Sequence, residues 1–435
     1  MKVRRHLAPT AAPLSWGDFL LALVSLMRGP RVRAQIESEI RRYFGVEHVF
    51  LLSSGKAALT TIIRALMATS SQRKVVIPAY TCFSVPSAIV RAGGQVVLCD
   101  VDPHTLDFDF DRLQRIVDNE TLCIVSPHLL GQIADIRRTK AIAKPCGIPV
   151  IEDAAQAMGR KTKEGWVGTL GDVGFFSLGR GKNITAGSGG VIVTNSGEVA
   201  DTLSKAYAEI PEESLGNQVV NGFMVFAMTI LIRPRAYWLP AGLPFLGLGE
   251  TIYDPTFSIR RLDGLRAGLL KTWRRRLEDS NEDRARHADV FLGRFRHEEA
   301  QLDPMRVSGT AYLRLPVVMP TIAAKQKMCA LGIDLGLGVS SLYPTPVSEI
   351  PELKAQFQGQ QYPGADILAD RLVTLPVHRY VDERDAERIC RLLHEIVVDA
   401  EANGTAGRGP KRAASGALFG PRPAVPFASA STTIS

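Results

Sequence analysis

The sequence predicts an α/β protein: a large domain built on a mostly parallel central sheet flanked by helices, followed by a second, smaller α/β domain. Three observations carry that reading. Between residues 50 and 195, short Val/Ile-rich runs alternate with longer polar-apolar segments. After Ser196 the pattern turns helical, and alternation resumes only from about Ala311 to Val398, too far downstream to extend the first sheet. Unbroken apolar runs are what strands buried on both faces need, whereas half-exposed strands alternate.

The chain opens on a basic segment, residues 1–35, where six cations (Lys2, Arg4, Arg5, Arg28, Arg31, Arg33) face Asp18 alone. Within it, Phe19–Met27 imitates a secretory signal. The imitation fails because 18 residues precede the run, Arg28 follows at once and no small-residue cleavage site comes next. The large domain is expected over residues 36–255, with an apolar run at Val49–Leu52 and strands at Val75–Ile77, Val96–Leu98, Leu122–Val125, Pro149–Ile151, Val173–Ser177 and Val191–Thr194. Asp100 and Asp153 fall where strands end, the edge at which open α/β sheets bind ligands. An apolar insertion lies near 219–249; its longest run, Val219–Ile232, contains Asn221 and is too short to span a bilayer. A linking helix and the small domain take up 256–400, and the Gly/Ala/Ser/Pro-rich tail, 401–435, reads as disordered.

Composition narrows the function classes. The net charge of +8 resides at the two ends, leaving a neutral body without a recognition-helix or aromatic signature, which argues against a nucleic-acid partner. Six cysteines (Cys82, Cys99, Cys123, Cys146, Cys329, Cys390) form no C-x-x-C pair, so neither a disulfide scaffold nor a metal site organises the fold, and a reducing, cytoplasmic setting is the simplest.

The chemistry concentrates in Pro149–Thr194. A strand ends in Asp153, Gln156 follows three residues later, and Ser177 precedes Lys182 by five in a Gly-rich loop that leads into another strand. Taken singly, Asp153 reads as a helix cap, Lys182 as a solvated lysine and Ser177 as a turn former. Upstream, Ser54-Gly55-Lys56 opens a helix-forming stretch, a place where free N–H groups and the helix dipole suit a phosphate.

In this order and spacing the block resembles the DegT/StrS family of pyridoxal-phosphate (PLP) aminotransferases, and the resemblance extends from about Phe44 to Ile396. It implies the fold type I of PLP-dependent transferases, a homodimer with shared sites, and transfer of an amino group from an amino acid, glutamate by family expectation, to a keto sugar, often nucleotide-linked. By the same resemblance Lys182 holds PLP and shuttles a proton, Asp153 meets the ring nitrogen, Gln156 lies near the phenolic oxygen, and Ser177 with the Ser54-Gly55-Lys56 turn receives the phosphate. PLP is an electron sink that a protonated ring nitrogen deepens, which is why a carboxylate belongs there.

Departures from the family pattern are equally specific. Lys56 stands where Thr or Ser is usual, and Cys82 where an aromatic ring stacks on PLP, with Tyr80 or Phe83 as substitutes. Thr256 is nearest to an Asn that reaches the neighbouring subunit's phosphate. Ser348 replaces a usual His, while His128 reads as scaffold. These changes leave open a catalytically impaired PLP-binding protein with a regulatory or assembly role. Seven Arg or Lys in 260–276, behind the apolar run 219–249, also leave open a peripheral contact with the inner face of a membrane. The competing reading packs the apolar run into the dimer interface.

Overall fold

The computed structural model describes residues 5–243, 251–295 and 310–402. The expected disordered tail beyond residue 402 and part of the apolar stretch Leu243–Leu248 lie outside these residues.

Two helices, α1 (Trp16–Ser25) and α2 (Gly29–Phe44), open the chain. Then follow β1 (His48–Leu52), α3 (Gly55–Met67), β2 (Lys74–Pro78), α4 (Ser84–Ala92) and β3 (Gln95–Cys99). The alternation continues through α5 (Phe110–Ile116), β4 (Thr121–Pro127), α6 (Ile136–Ala143), β5 (Val150–Asp153), β6 (Val173–Ser177), β7 (Gly190–Thr194) and α7 (Gly197–Ala208). The seven strands form one sheet in the order β1-β7-β6-β5-β4-β2-β3. Pairings among β2 to β6 are parallel, and β7 runs antiparallel to both β6 and β1.

The apolar insertion begins as α8 (Leu215–Leu231) and continues in the short α9 (Trp238–Ala241). Next, α10 (Gly264–Leu269) and the long α11 (Trp273–Phe295) lead to the small domain. It comprises β8 (Leu315–Val318), α12 (Ile322–Asp334), α13 (Pro363–Arg371), β9 (Leu372–Leu375) and α14 (Glu383–Ala402), with β8 and β9 antiparallel.

Burial explains the unbroken apolar strands. One sheet face packs under α3 and α4 and continues to small-domain residues such as Tyr343, Val347 and Leu368. The other packs against α2, α10 and the start of α11, where Phe44, Phe176 and Trp273 meet. The small domain has its own core around Phe291, Met328, Val373 and Ile389. Asp100, just past the end of β3, serves the fold, because its carboxylate accepts the N–H groups of Gly364 (3.0 Å) and Ala365 (2.9 Å) and so caps α13. Gly364 is required there, since a Cβ would lie 1.8 Å from the Val101 carbonyl oxygen.

The N-terminal residues are woven into the body. Arg5 pairs with Asp385 (2.6 Å), Leu7 N–H donates to the Gly336 carbonyl, and the half-exposed helix α1 starts with a Ser15/Asp18 capping box. Arg33 is buried against Glu212. Helix α1 crosses α10 at backbone distance, and a Cβ on Gly268 would meet Ala22 Cα at 2.7 Å. Two of the cations counted as a basic segment are thus structural ion pairs.

Candidate active site

The parallel strands deliver their carboxyl ends to one edge, and a cavity of about 400 Å³ opens there. Asp153, Gln156, Ser177, Lys182, Ser54, Gly55, Lys56 and Cys82 all line it. Residues far apart in the chain therefore converge, because β5 ends in Asp153, β6 ends in Ser177, and α3 starts at Gly55 beneath them.

Asp153 is buried, with its carboxylate accepting the Ala155 N–H (3.0 Å). Burial pushes its pKa above the usual carboxylate value, against the backbone bond and the Lys182 charge. Burial likewise pushes the Lys182 amine below the ordinary lysine range; Cys82 and Asp153 pull it up and the Arg314 charge pushes it further down.

The loop carrying Lys182 is closed and clamped. Leu178 and Gly189 pair through their backbones (2.8 Å), and Ala186 N–H returns to the Leu178 carbonyl (3.0 Å). Gly181 adopts φ +73°, and Thr10 Oγ1 donates to its carbonyl (2.9 Å). Arg284, buried on α11, donates to the carbonyls of Leu313 (2.5 Å), Ala11 (2.9 Å) and Lys182 (3.4 Å). Asn183 joins Asn281 of the same helix (2.9 Å). The lysine backbone is thereby held by the N-terminal strap and by α11.

Gln156 is fixed from both ends: Oε1 accepts the Leu130 N–H (2.9 Å) and Nε2 donates to Tyr343 Oη (3.0 Å). His128 lies outside the cavity. Its Nδ1 accepts the Ala134 N–H (3.0 Å), so its Nε2 donates to Glu152 (2.8 Å). Glu152 also accepts N–H groups of Gly168, Leu170 and Gly171, and despite burial His128 and these donors hold its pKa below the usual value. His128 is the scaffold residue expected.

At the phosphate end Ser54 caps α3, its Oγ accepting the Ala57 N–H (3.0 Å). Ser177 stands against the same turn: a Cβ on Gly55 would lie 3.0 Å from Ser177 Cβ. Lys56 leans away, pairing with Asp254 (3.4 Å) and resting 4.4 Å from the centre of the Phe257 ring. Thr256 is exposed and bonded within its own turn to Asp254 (2.6 Å).

At the stacking position Cys82 faces the cavity, next to Ser84 Oγ (3.3 Å). Neither Tyr80 nor Phe83 lines the cavity; Tyr80 is buried and exchanges hydrogen bonds with the Tyr343 backbone. The sequence reading missed two arginines that bear on Lys182: Arg284, which donates to its carbonyl, and Arg314, whose charge lowers its pKa. Arg314 stands out in the sequence as a lone charge inside the apolar run Leu313–Val318.

The donor set fits PLP. A carboxylate at a strand end, a lysine of lowered pKa facing it, and a helix N-terminus with Gly and Ser at the far side make a cradle for a pyridine ring, an aldehyde and a phosphate.

Comparison with known proteins agrees. The model of the DegT/DnrJ/EryC1/StrS aminotransferase family matches residues 21–226 and 246–394, skipping 227–245. A pleiotropic regulatory protein of Geobacillus stearothermophilus is 36% identical over 83% of this chain and 88% of its own. The UDP-N-acetyl-3-dehydro-α-D-glucosamine 3-aminotransferase of Acidithiobacillus ferrooxidans is 27% identical over 91% and 96%. In structure, the Helicobacter pylori aminotransferase PseC, involved in pseudoaminic acid biosynthesis, superposes with a TM-score of 0.73 over 91% of this chain and all of its own, at 16% identity.

Proposed function

The chain belongs to the DegT/DnrJ/EryC1/StrS aminotransferase family, and from that premise we propose that it moves an amino group from an amino acid, glutamate first among them, to a keto sugar carried on a nucleotide. The observation that carries the reading is the pairing of Asp153 with Lys182 in one buried cavity, two ionisable groups whose pKa values burial pushes toward each other. Bound PLP supplies an electron sink for the carbon that loses its proton. Asp153 would keep a proton at the ring nitrogen, Gln156, held by Leu130 and Tyr343, would meet the ring, and the start of α3 with Ser177 would hold the phosphate. Lys182 would be the base that moves the proton, and burial lowers its pKa, the direction such a base needs. Purified protein given an amino acid should lose visible cofactor absorbance and recover it on adding a nucleotide-linked keto sugar, with the aminated product seen by mass spectrometry.

A homodimer is part of this proposal, supported by the partly exposed 251–260 loop beside the cavity; light scattering tests it. The regulatory reading draws support from the name of the Geobacillus relative. The retained Lys182 and Asp153 favour catalysis. For the membrane contact, the supporting feature is a two-helix face: Trp16, Leu20, Leu23 and Val24 of α1 lie exposed near Val219, Val220 and Phe223 of α8, joined through Phe226. Its electrostatic half is weaker than the sequence implies, since Arg261 pairs with Glu212, Arg266 with Glu213 and Asp263, and Arg276 is spent on backbone carbonyls. Among the described residues no helix is long and apolar enough to cross a membrane. Sedimentation with anionic and neutral liposomes separates lipid binding from a dimer contact.

A further inference from the structure

Helices α1 and α8 are packed inside out. On α1 the buried residues are Asp18, Ala22 and Ser25, while Trp16, Leu20, Leu23 and Val24 face outward. On α8 Gln218, Gly222, Val225 and Thr229 are buried, whereas Val219, Val220, Phe223 and Met224 are exposed, Phe223 at 71%. A helix on a water-facing surface turns its apolar stripe inward, so two neighbours with the reverse pattern present a face unsuited to water. The helices touch, because the Phe226 ring lies 5.7 Å from that of Trp16 and 5.3 Å from that of Phe19, centre to centre. Helix α8 contains no ionisable residue, and α1 contains Asp18 alone. Cations follow directly. Arg28 and Arg31 come after α1, and Arg233 and Arg235 after α8; all four are exposed, and among the described residues none pairs with a carboxylate. They differ in this from Arg261 and Arg266, which Glu212 and Glu213 neutralise.

We propose that this two-helix face lies in the headgroup layer of an anionic membrane, with α1 and α8 along its plane and Arg28, Arg31, Arg233 and Arg235 on lipid phosphates. This rests on the membrane contact proposed above and narrows it to one face and one lipid chemistry, independent of turnover. Amphipathic helices bind such a layer by burying apolar side chains at the edge of the acyl chains while cations meet the headgroups. Trp16 suits the same depth, with an apolar ring and an N–H that seeks water. Charge decides between this occupant and a second copy of the chain. A twofold contact would press the arginines toward a face with no free carboxylate, because Asp18 is buried and bonded to Thr272 and Ser15. Anionic headgroups supply the counter-ions that such a face lacks. The family model passes over 227–245, so Arg233 and Arg235 lie outside the pattern the family shares, in keeping with a surface that serves location rather than shared chemistry.

The test sediments the full chain with vesicles of phosphatidylcholine, with and without phosphatidylglycerol, over a salt series. The expected result is binding to the phosphatidylglycerol vesicles that weakens as salt rises, with little binding to phosphatidylcholine alone. Replacing Arg28 and Arg31 by Gln, or Arg233 and Arg235 by Gln, should lower partitioning by roughly 30-fold for each pair. Leu20→Glu with Phe223→Glu should lower it by about 100-fold or more, since two buried apolar groups are lost from the contact. Should the glutamate variant fail to fold, the exposed arginine pairs still decide. Bromine-labelled lipid gives an independent readout: it should quench tryptophan emission of the wild type, and Trp16→Phe should remove much of that quenching. Wild-type binding that none of these substitutions changes would overturn the face while leaving a membrane contact made elsewhere. Equal binding to both vesicle types would overturn the anionic recognition, and binding to neither would sink the membrane contact itself. Loss of a dimer in the glutamate variant, seen by light scattering with no lipid binding by the wild type, would assign the face to a second copy. Lipid binding without any turnover would count against the aminotransferase reading alone.

Discussion

The floor and the rim of the cavity are built differently. The floor, Asp153, Gln156, Ser177 and Lys182, hangs from strand ends and a loop clamped by Thr10, Arg284 and Asn183. The rim, Lys56, Cys82 and the 254–257 turn, is half-exposed and held by short polar contacts within itself. The floor keeps the residue types that PLP chemistry needs, and the rim has exchanged them. On the proposed function, the shared chemistry rests on the sheet, whereas partner and substrate fit rest on segments that can change without disturbing the core.

The contrast is broken most severely at the floor. Lys182→Ala should lower turnover by on the order of 10³-fold or more, measured with saturating donor and acceptor, since no other described lysine reaches the cavity beyond the rim residue Lys56. Asp153→Asn should cost about 10²-fold to 10³-fold in the half-reaction, an electrostatic contribution made in the transition state, with cofactor content nearly unchanged. Equal loss of cofactor and of rate would show that Asp153 serves binding.

The clamp should be intermediate. Replacing Arg284 by Met leaves the carbonyls of Leu313, Ala11 and Lys182 without their donor, a loss of about 1–3 kcal/mol in urea melts. At the rim, Lys56→Thr removes a partly exposed ion pair, and its effect on stability should stay below about 1 kcal/mol, with cofactor affinity changed less than about tenfold. A floor-sized effect at Lys56 would erase the distinction.

Acid pH sharpens the comparison at the strap. His378 is buried, its Nε2 donating to the Ala8 carbonyl (2.8 Å), and burial pushes its pKa down to about 3. The unfolded ring titrates near 6.5, so below that pH the unfolded chain binds a proton the folded one refuses. Stability is complete above about pH 6.5 and falls by up to about 1.4 kcal/mol per unit as pH drops toward 3. Urea midpoints at pH 7.5, 6 and 5 should show this slope, and His378→Gln should flatten it.

Most of the sheet was legible, because Val/Ile runs such as Leu122–Val125 have no other comfortable place than between two helical layers. The convergence of the floor residues was legible through the family resemblance that their order and spacing carry. Arg284 and Arg314 were not, since each bears on Lys182 from more than 100 residues away, and a charge on a helix or inside an apolar run does not name that partner in the sequence. Asp100 shows the converse: a strand-end carboxylate with the right address that folding spends on capping α13. The fate of Arg5 and Arg33 was hidden too, because partners such as Asp385 and Glu212 are 179 or more residues away.

The central claim is that Lys182 holds the cofactor, and borohydride reduction of the purified holoenzyme followed by peptide mass spectrometry addresses it most directly. The account predicts a single reduced pyridoxyl adduct on the peptide containing Lys182, absent from Lys182→Ala. An adduct on Lys56 or elsewhere, or an active enzyme that takes no label, would contradict it.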